Sequence, residues 1–421
     1  MAELVVDLAQ ARIPEAELAA HAGPLPMRLA ELDASPDGEF LRLPHRTDLV
    51  RQIAAVKRAL PAGIRDVVQL GIGGSSLGGQ VLCAALLPPR HNERVGAKGL
   101  RFHFPDNVDP DTFGALLDSL DPRKTLVHVV SKSGGTIETA AQMHAVLEAW
   151  RRARRAPAID RHFVVTTGAK SSLRAFAERE ALPILDFPEP VAGRFSVFTA
   201  SGLFVPALCG VPVARVLAGA RALEARIRAD GGSGDAGRLA ALHWLHDQKQ
   251  GRPIHVELIY GDALVPCGDW FRQIWAESLG KQGRGPTPVV ARGTADQHSQ
   301  IQLFVDGPDD KLYTVVRAGK PRARVRLGKR AELGLLRGRD LGELFAAEAQ
   351  GTIEALVQKG RPVVELRLPR VTPEGVGELL MLQEIQTALA ATLYGVYAFD
   401  QPGVEAGKIA AVRILSGTRP G

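Results

Sequence analysis

The chain has 421 residues, 45% of them hydrophobic and 23% charged, the profile of a globular protein with enough length for two domains. Its net charge of +6 would concentrate an anionic ligand, but the basic residues are dispersed and aromatics are only 5%, which argues against a nucleic-acid surface and favours a basic surface that only keeps the protein soluble. Cys83, Cys209 and Cys267 are far apart and in no CxxC pair, so neither a disulfide framework nor a zinc site is expected, and a reducing cytoplasm fits.

The predicted elements begin with a helical arm to about Leu43, in which Leu8, Ile13, Leu18, Leu25, Leu29 and Leu32 recur between breaks at Pro14, Pro24 and Pro26. Its first turns carry acidic residues and no basic lead into an apolar core, so no secretory signal is expected. Leu49 to Leu60 reads as one amphipathic helix. Three runs then share a layout: VVQLGIGGSS (67–76), TLVHVVSKSGGT (125–136) and HFVVTTGAKSS (162–172). Each is an apolar strand delivering a polar Gly/Ser-rich turn. Continuous apolar strands suit a parallel sheet covered on both faces, with the turns along its carboxyl edge, where open α/β sheets bind ligands.

The uncharged stretch Val197 to Ala214 contains Gly202, Pro206, Gly210 and Pro212, and reads as a buried helix with its exit loop rather than a membrane span. Arg215 to Gln250 reads as helical, interrupted by the flexible run GGSGDAG (231–237). Further strands are expected at IHVELIY, PVVARG, IQLFVDG, LYTVVRAG and PVVELRL, followed by a long helix from Gly377 to about Tyr397 and a last one from Pro402. The class is therefore α/β with mainly parallel sheets: an arm (1–44), a first domain carrying the polar turns (45–210) and a second α/β domain with C-terminal helices (211–421).

Several segments carry residue types suited to chemistry. GIGGSSLGG (71–79) departs from a dinucleotide fingerprint at Ser76. It suits phosphate capture better, Gly74 letting the backbone approach an anion and Ser75 supplying a hydroxyl at a helix start. The plain alternative is a tight strand-to-helix turn. SKSGGTIET (131–139) crowds Ser131, Ser133, Thr136 and Thr139 beside two glycines and Lys132, more hydroxyls than a helix cap needs, while Glu138 suits a sugar hydroxyl. TTGAKSS (166–172) lacks the spacing of a P-loop and reads as a turn in which Ser171 or Ser172 caps the next helix. His243 and His246 have no third or fourth metal ligand nearby and read as packing or surface residues, whereas His298 in a polar loop is a candidate acid or base. Gln273 and Glu277, four apart, share a helix face; Lys408 follows a helix start at Pro402.

Taken in order, GIGGSSLG, SKSGGTIET, GRFSVFTASGL, AESLGK, GTADQHS and FDQPGVEAGK resemble the successive motifs of the glucose-6-phosphate isomerase family, from about residue 67 to 408. The resemblance implies two sugar-isomerase-type αβα sandwiches, the arm packed on the second, and a homodimer with its site in the cleft between domains. It implies reversible aldose-ketose interconversion of glucose 6-phosphate and fructose 6-phosphate, in glycolysis and gluconeogenesis, with no metal or nucleotide cofactor. Ser75, Ser131, Lys132, Ser133, Thr136 and Thr139 would hold the phosphate. His298, reaching into the neighbouring subunit's site, and Lys408 would open the ring. Glu277 would shuttle the proton between C2 and C1, Arg194 would stabilise the enediolate, and Gln273, Gln401 and Glu138 would line the sugar. Ser76, Gly134–Gly135, QHSQIQ and Leu279 depart from the long form of the family and resemble its shorter bacterial branch. An isomerase of another sugar phosphate, one acting on both glucose and mannose phosphates, and a non-catalytic sugar-phosphate sensor are the alternatives.

Overall fold

A computed structural model describes residues 4–96, 99–153, 157–230 and 234–417. Among these residues ten strands form two five-stranded sheets: β1 (Val5–Asp7), β2 (Asp66–Leu70), β3 (Arg101–His103), β4 (Thr125–Ser131), β5 (Phe163–Thr167), β6 (Ile184–Asp186), β7 (Ile254–Tyr260), β8 (Thr287–Gly293), β9 (Lys311–Lys320) and β10 (Val363–Arg370). The first sheet has the order β3-β2-β4-β5-β6 and is parallel throughout. The second has the order β1-β10-β9-β7-β8 and is parallel except for β1, which runs antiparallel to β10 with Val5 opposite Arg367.

The continuous apolar strands are buried on both faces because helices cover both. Along β2, Val67 joins a central hydrophobic cluster while Val68 and Leu70 join a cluster on the outer face with Val127, Val129 and Trp150. In the second sheet Ile259 and Leu366 face the central cluster, and Leu258, Tyr313 and Val315 the outer one. The central cluster runs through both sheets' inner helices, from Leu82 and Leu203 to Trp270, Ile274 and Leu382.

At its heart lies the helix Pro373–Tyr394, buried along nearly its whole length. Thr372 caps it by accepting from Gly375 N–H at 3.0 Å, Pro373 occupies the first turn, and Gly395 ends it in the left-handed region at φ 66°. It crosses the helix Val213–Ala229 at a pair of glycines. A Cβ on Gly377 would lie 2.0 Å from the Val216 carbonyl oxygen, and one on Gly219 2.0 Å from that of Glu374. Small residues there let the helices approach closely, and that fixes the platform carrying the neighbouring helix Val265–Leu279.

Two expectations need correction. IQLFVDG is the helix Ile301–Asp306, not a strand. Ile301, Phe304 and Val305 pack on the outer cluster of the second sheet while Leu303 is 51% exposed, the i, i+3, i+4 stripe of a helix rather than a strand's alternation. The N-terminal arm is helical at Glu15–Ala22 and Leu25–Ala34 but opens with a strand. β1, β3 and β6 are three residues each, too short to show a period. Part of the GGSGDAG run, residues 231–233, lies outside the described residues; the next helix starts at Asp235. The uncharged stretch forms the buried helix Ala200–Leu208, and no helix among the described residues is long and apolar enough to cross a membrane.

Candidate active site

The polar turns that follow β2, β4 and β5 converge, as the parallel sheet requires, at one edge of the first sheet. There they border a cavity of about 660 Å³, closed on its other side by the helix Val265–Leu279 and by the segment carrying Gln401 and Lys408. Gly74, Ser75, Lys132, Ser133, Thr136 and Glu138 come from the first sheet; Arg194, Gln273, Glu277, Gln401 and Lys408 complete the wall.

The first turn, Gly73–Ser75, is a 3-10 turn entered with Gly73 at φ 56°. Gly74 is small for a reason in the protein itself: a Cβ there would lie 2.1 Å from the Gly193 carbonyl oxygen, so the turn and the Arg194 backbone are pressed together. A buried network supports it from below. Gln69 Nε2 donates to the Ser75 carbonyl at 2.8 Å and to the Ser201 carbonyl at 2.9 Å, which leaves its Oε1 to accept from His128 Nδ1 at 3.1 Å. His128 Nε2 then accepts from Thr166 Oγ1 at 2.7 Å. Proton counting thus fixes the Nδ1–H tautomer, and burial pulls the His128 pKa down to about 3, so the ring is neutral.

At the end of β4, Ser131 is buried and its hydroxyl is taken up inside the following loop, 3.1 Å from Thr136 Oγ1 and accepting from Gly134 N–H at 3.1 Å. Thr139 is also buried and lies behind the loop, its hydroxyl without a hydrogen-bond partner among the described residues. Both border a smaller recess of about 290 Å³ rather than the main cavity. Lys132 borders the main cavity but gives its ammonium to the Val191 carbonyl at 2.9 Å. Burial pulls its pKa below the ordinary value, with Glu189 opposing.

Opposite these turns stands an Arg-Glu pair. Glu277 Oε1 accepts from Gln273 Nε2 at 2.9 Å and Oε2 from Arg194 Nη1 at 3.2 Å. One lone pair on each oxygen remains open. The Arg194 side chain is 1% exposed against 29% for Glu277. Its Nε donates to Ser278 Oγ at 2.8 Å, Nη1 also to Gln401 Oε1 at 2.8 Å, and Nη2 to the carbonyls of Ala398 and of Asp400, the latter at 2.8 Å. All five guanidinium donors are thereby engaged. Burial pulls the Arg194 pKa down, with Glu277 beside it working the other way. The carboxylate is the partly exposed member of the pair and the arginine its fixed, enclosed support.

His298 is not among the cavity residues. It sits exposed on the short helix Ala295–Ser299, after β8. His243 and His246 are buried packing residues, as expected: His243 Nδ1 meets Gln386 Nε2 at 3.0 Å and His246 Nε2 donates to the Ala11 carbonyl at 2.8 Å. Ser171 caps the following helix, accepting from Arg174 N–H at 3.0 Å. Sequence reasoning missed Gln69, His128 and Ser278, whose roles depend on distant partners, and it missed Lys170 and Glu189 as parts of the cavity wall.

A family model described as phosphoglucose isomerase matches residues 47–307 and 331–421. The glucose-6-phosphate isomerase of Rubrobacter xylanophilus is 42% identical over 375 residues, covering 88% of this chain and 87% of its own. A solved structure of a hypothetical protein from Thermus thermophilus is similar with a TM-score of 0.89 and 37% identity, covering 98% of this chain and 99% of that one. A glucose-6-phosphate isomerase structure from Chlamydia trachomatis, 22% identical, shares the fold with a TM-score of 0.83, over 98% of this chain and 88% of that one.

Proposed function

The chain belongs to the phosphoglucose isomerase family, and from that premise we propose that it interconverts glucose 6-phosphate and fructose 6-phosphate with Glu277 as the proton-transfer base. The observation that carries the assignment of the base is the placement of Glu277: a partly exposed carboxylate, oriented through both oxygens, facing Gly/Ser/Thr turns across one cavity.

The substrate's phosphoryl group lies against the turns at Ser75 and 131–136, where hydroxyls, backbone N–H groups and Lys132 meet an anion. Ser131 and Thr139 contribute by shaping the loop from behind. The sugar extends toward Glu277, lined by Glu138, Gln273 and Gln401. Lys408, on the cavity wall, and His298, supplied by the neighbouring subunit of a homodimer, move the proton that opens the pyranose ring. The exposed position of His298, away from its own chain's cavity, supports that arrangement.

Glu277 then removes the proton beside the carbonyl and returns it to the neighbouring carbon. In the resting site Arg194 Nη1 donates to Glu277 Oε2. When Glu277 takes the proton, negative charge leaves its carboxylate and appears on the enediolate oxygen. The hold of Nη1 on Glu277 weakens as a new acceptor forms nearby, so the fixed guanidinium stabilises charge wherever it resides along the path. We place the reaction in the cytoplasm, in glycolysis and gluconeogenesis.

The test is a coupled assay without added metal, offering fructose 6-phosphate and, separately, mannose and arabinose phosphates. Turnover of fructose 6-phosphate to glucose 6-phosphate is expected to dominate; preference for the pentose phosphate would refute the substrate assignment.

A further inference from the structure

The turn after β5 caps a helix through Ser171, yet it is also bonded along its length to the turn after β4. Thr167 Oγ1 donates to the Ser131 carbonyl at 2.6 Å, Gly168 N–H to the Lys132 carbonyl at 3.1 Å, and Ser172 Oγ to the Gly134 carbonyl at 3.0 Å. Contact is close enough that a Cβ on Gly134 would lie 2.8 Å from Leu173 N. The two turns form one double-walled cradle, and Lys170 stands on its outer wall, exposed and bordering the main cavity.

Among the described residues four cations border that cavity, Lys132, Lys170, Arg194 and Lys408, against three carboxylates, Glu138, Glu189 and Glu277. Three of the cations are already engaged. Arg194 donates to Glu277 and four other acceptors, Lys132 is bound to Val191 and faces Glu189, and Lys408 pairs with Glu405 at 3.2 Å. Lys170 makes no ion pair or side-chain hydrogen bond among the described residues. Without it the charges of those wall residues balance; with it the wall is positive by one. A phosphoryl group carries about −1.5 to −2 near neutral pH and is met best by a cation that need not first leave a carboxylate.

We propose that Lys170 is a further substrate-binding residue, the free cation that closes on the phosphoryl group from the second wall of the cradle. The proposal rests on the sugar-phosphate reading of the site. Because Lys170 touches the non-reacting end of the substrate, it governs capture more than the chemical step.

The experiment compares wild type, K170M, K170R and, as a control for net charge, K124M, whose lysine precedes β4 at the opposite edge of the first sheet. Calorimetry measures binding of inorganic phosphate, and steady-state kinetics measures turnover of fructose 6-phosphate. K170M is expected to weaken phosphate binding and to raise KM by about threefold to tenfold each, with a smaller change in kcat and a shallower dependence on salt. K170R is expected to recover most of both, since a cation on a long stem is restored. Phosphate affinity and KM within about twofold of wild type in K170M, or an equal loss in K124M, would overturn the proposal. A wild-type protein without isomerase activity whose phosphate binding still depends on Lys170 would refute the proposed reaction and uphold the anion site.

Discussion

Arg194 Nη1 lies 3.2 Å from Glu277 Oε2 and gives its second hydrogen to Gln401 Oε1 at 2.8 Å, so one nitrogen joins the Gly193–Phe195 turn, the Val265–Leu279 helix and the C-terminal segment. The pair is asymmetric. The arginine is enclosed with every donor engaged, and the carboxylate faces the cavity. A preorganised cation of this kind stabilises charge as it forms without having to reorient.

Arg194→Lys tests that asymmetry. A lysine has three donors on one nitrogen and cannot serve Ser278, Glu277, Gln401 and two carbonyls together. We expect kcat to fall by about a hundredfold to a thousandfold, and denaturant unfolding to show a loss of about 3 kcal/mol from unpaired buried groups. A kcat within about threefold of wild type would show that the full fork is not needed.

On the proposed mechanism, Gln273 orients the base rather than reacting. Its Nε2 holds Glu277 Oε1 at 2.9 Å from one helical turn away. Gln273→Leu removes that donor and lets the carboxylate rotate, with an expected loss of about tenfold in kcat and a smaller change in KM. Gln273→Glu places a like charge at the same spot and is expected to be worse than leucine. If the glutamate variant were the better enzyme, the orienting role would be refuted.

Gln69 acts at the other end of the cavity. Its amide pins the Ser75 and Ser201 carbonyls while accepting from His128. Gln69→Met keeps the length of the side chain but takes this donor from the Ser75 and Ser201 carbonyls and leaves a buried imidazole N–H without its acceptor. The expected cost is about 2–4 kcal/mol in denaturant unfolding, together with a KM for fructose 6-phosphate that rises more than kcat falls. Loss of stability without any change in KM would mean the turn holds its shape by other means.

The pH dependence of stability should carry the mark of Glu257, a β7 carboxyl held by Gln383 Nε2 at 2.6 Å, its other oxygen without a partner among the described residues. Burial raises its pKa from 4.5 to about 8. Between those values the unfolded chain has released this proton and the folded chain keeps it, so this group lowers stability as pH rises from about 4.5 to 8. Glu257→Gln preserves the acceptor for Gln383 and removes the titration. Its unfolding free energy should gain on wild type across that window, by about 5 kcal/mol in full. A constant difference from about pH 5 to 8 would contradict the assignment.

How much of this was legible depended on where the information lies. The strands β2, β4 and β5 and their turns were readable because an apolar run ending in Gly, Ser and Thr carries its meaning locally. The helix at Ile301–Asp306 was readable in principle, through the stripe Ile301, Phe304 and Val305, but a six-residue apolar run invites the strand reading. Glu277 on its own matched any exposed helix carboxylate, and its role emerged from the order of the surrounding motifs. Gln69 and His128 could not be found: they meet across 59 residues, and Gln69 meets Ser201 across 132. Lys170 was hidden for a different reason, since its turn does serve as the helix cap its sequence suggests.

The central claim is that the Glu277 carboxylate carries the proton between C1 and C2. The direct measurement is deuterium incorporation at C2 of glucose 6-phosphate formed from fructose 6-phosphate in heavy water, by wild type and by Glu277→Gln, with binding of fructose 6-phosphate measured alongside. Glutamine keeps the shape and an acceptor for Arg194 but cannot take the proton, so incorporation should fall by about a thousandfold or more while binding persists. Undiminished incorporation in the glutamine variant would contradict the account.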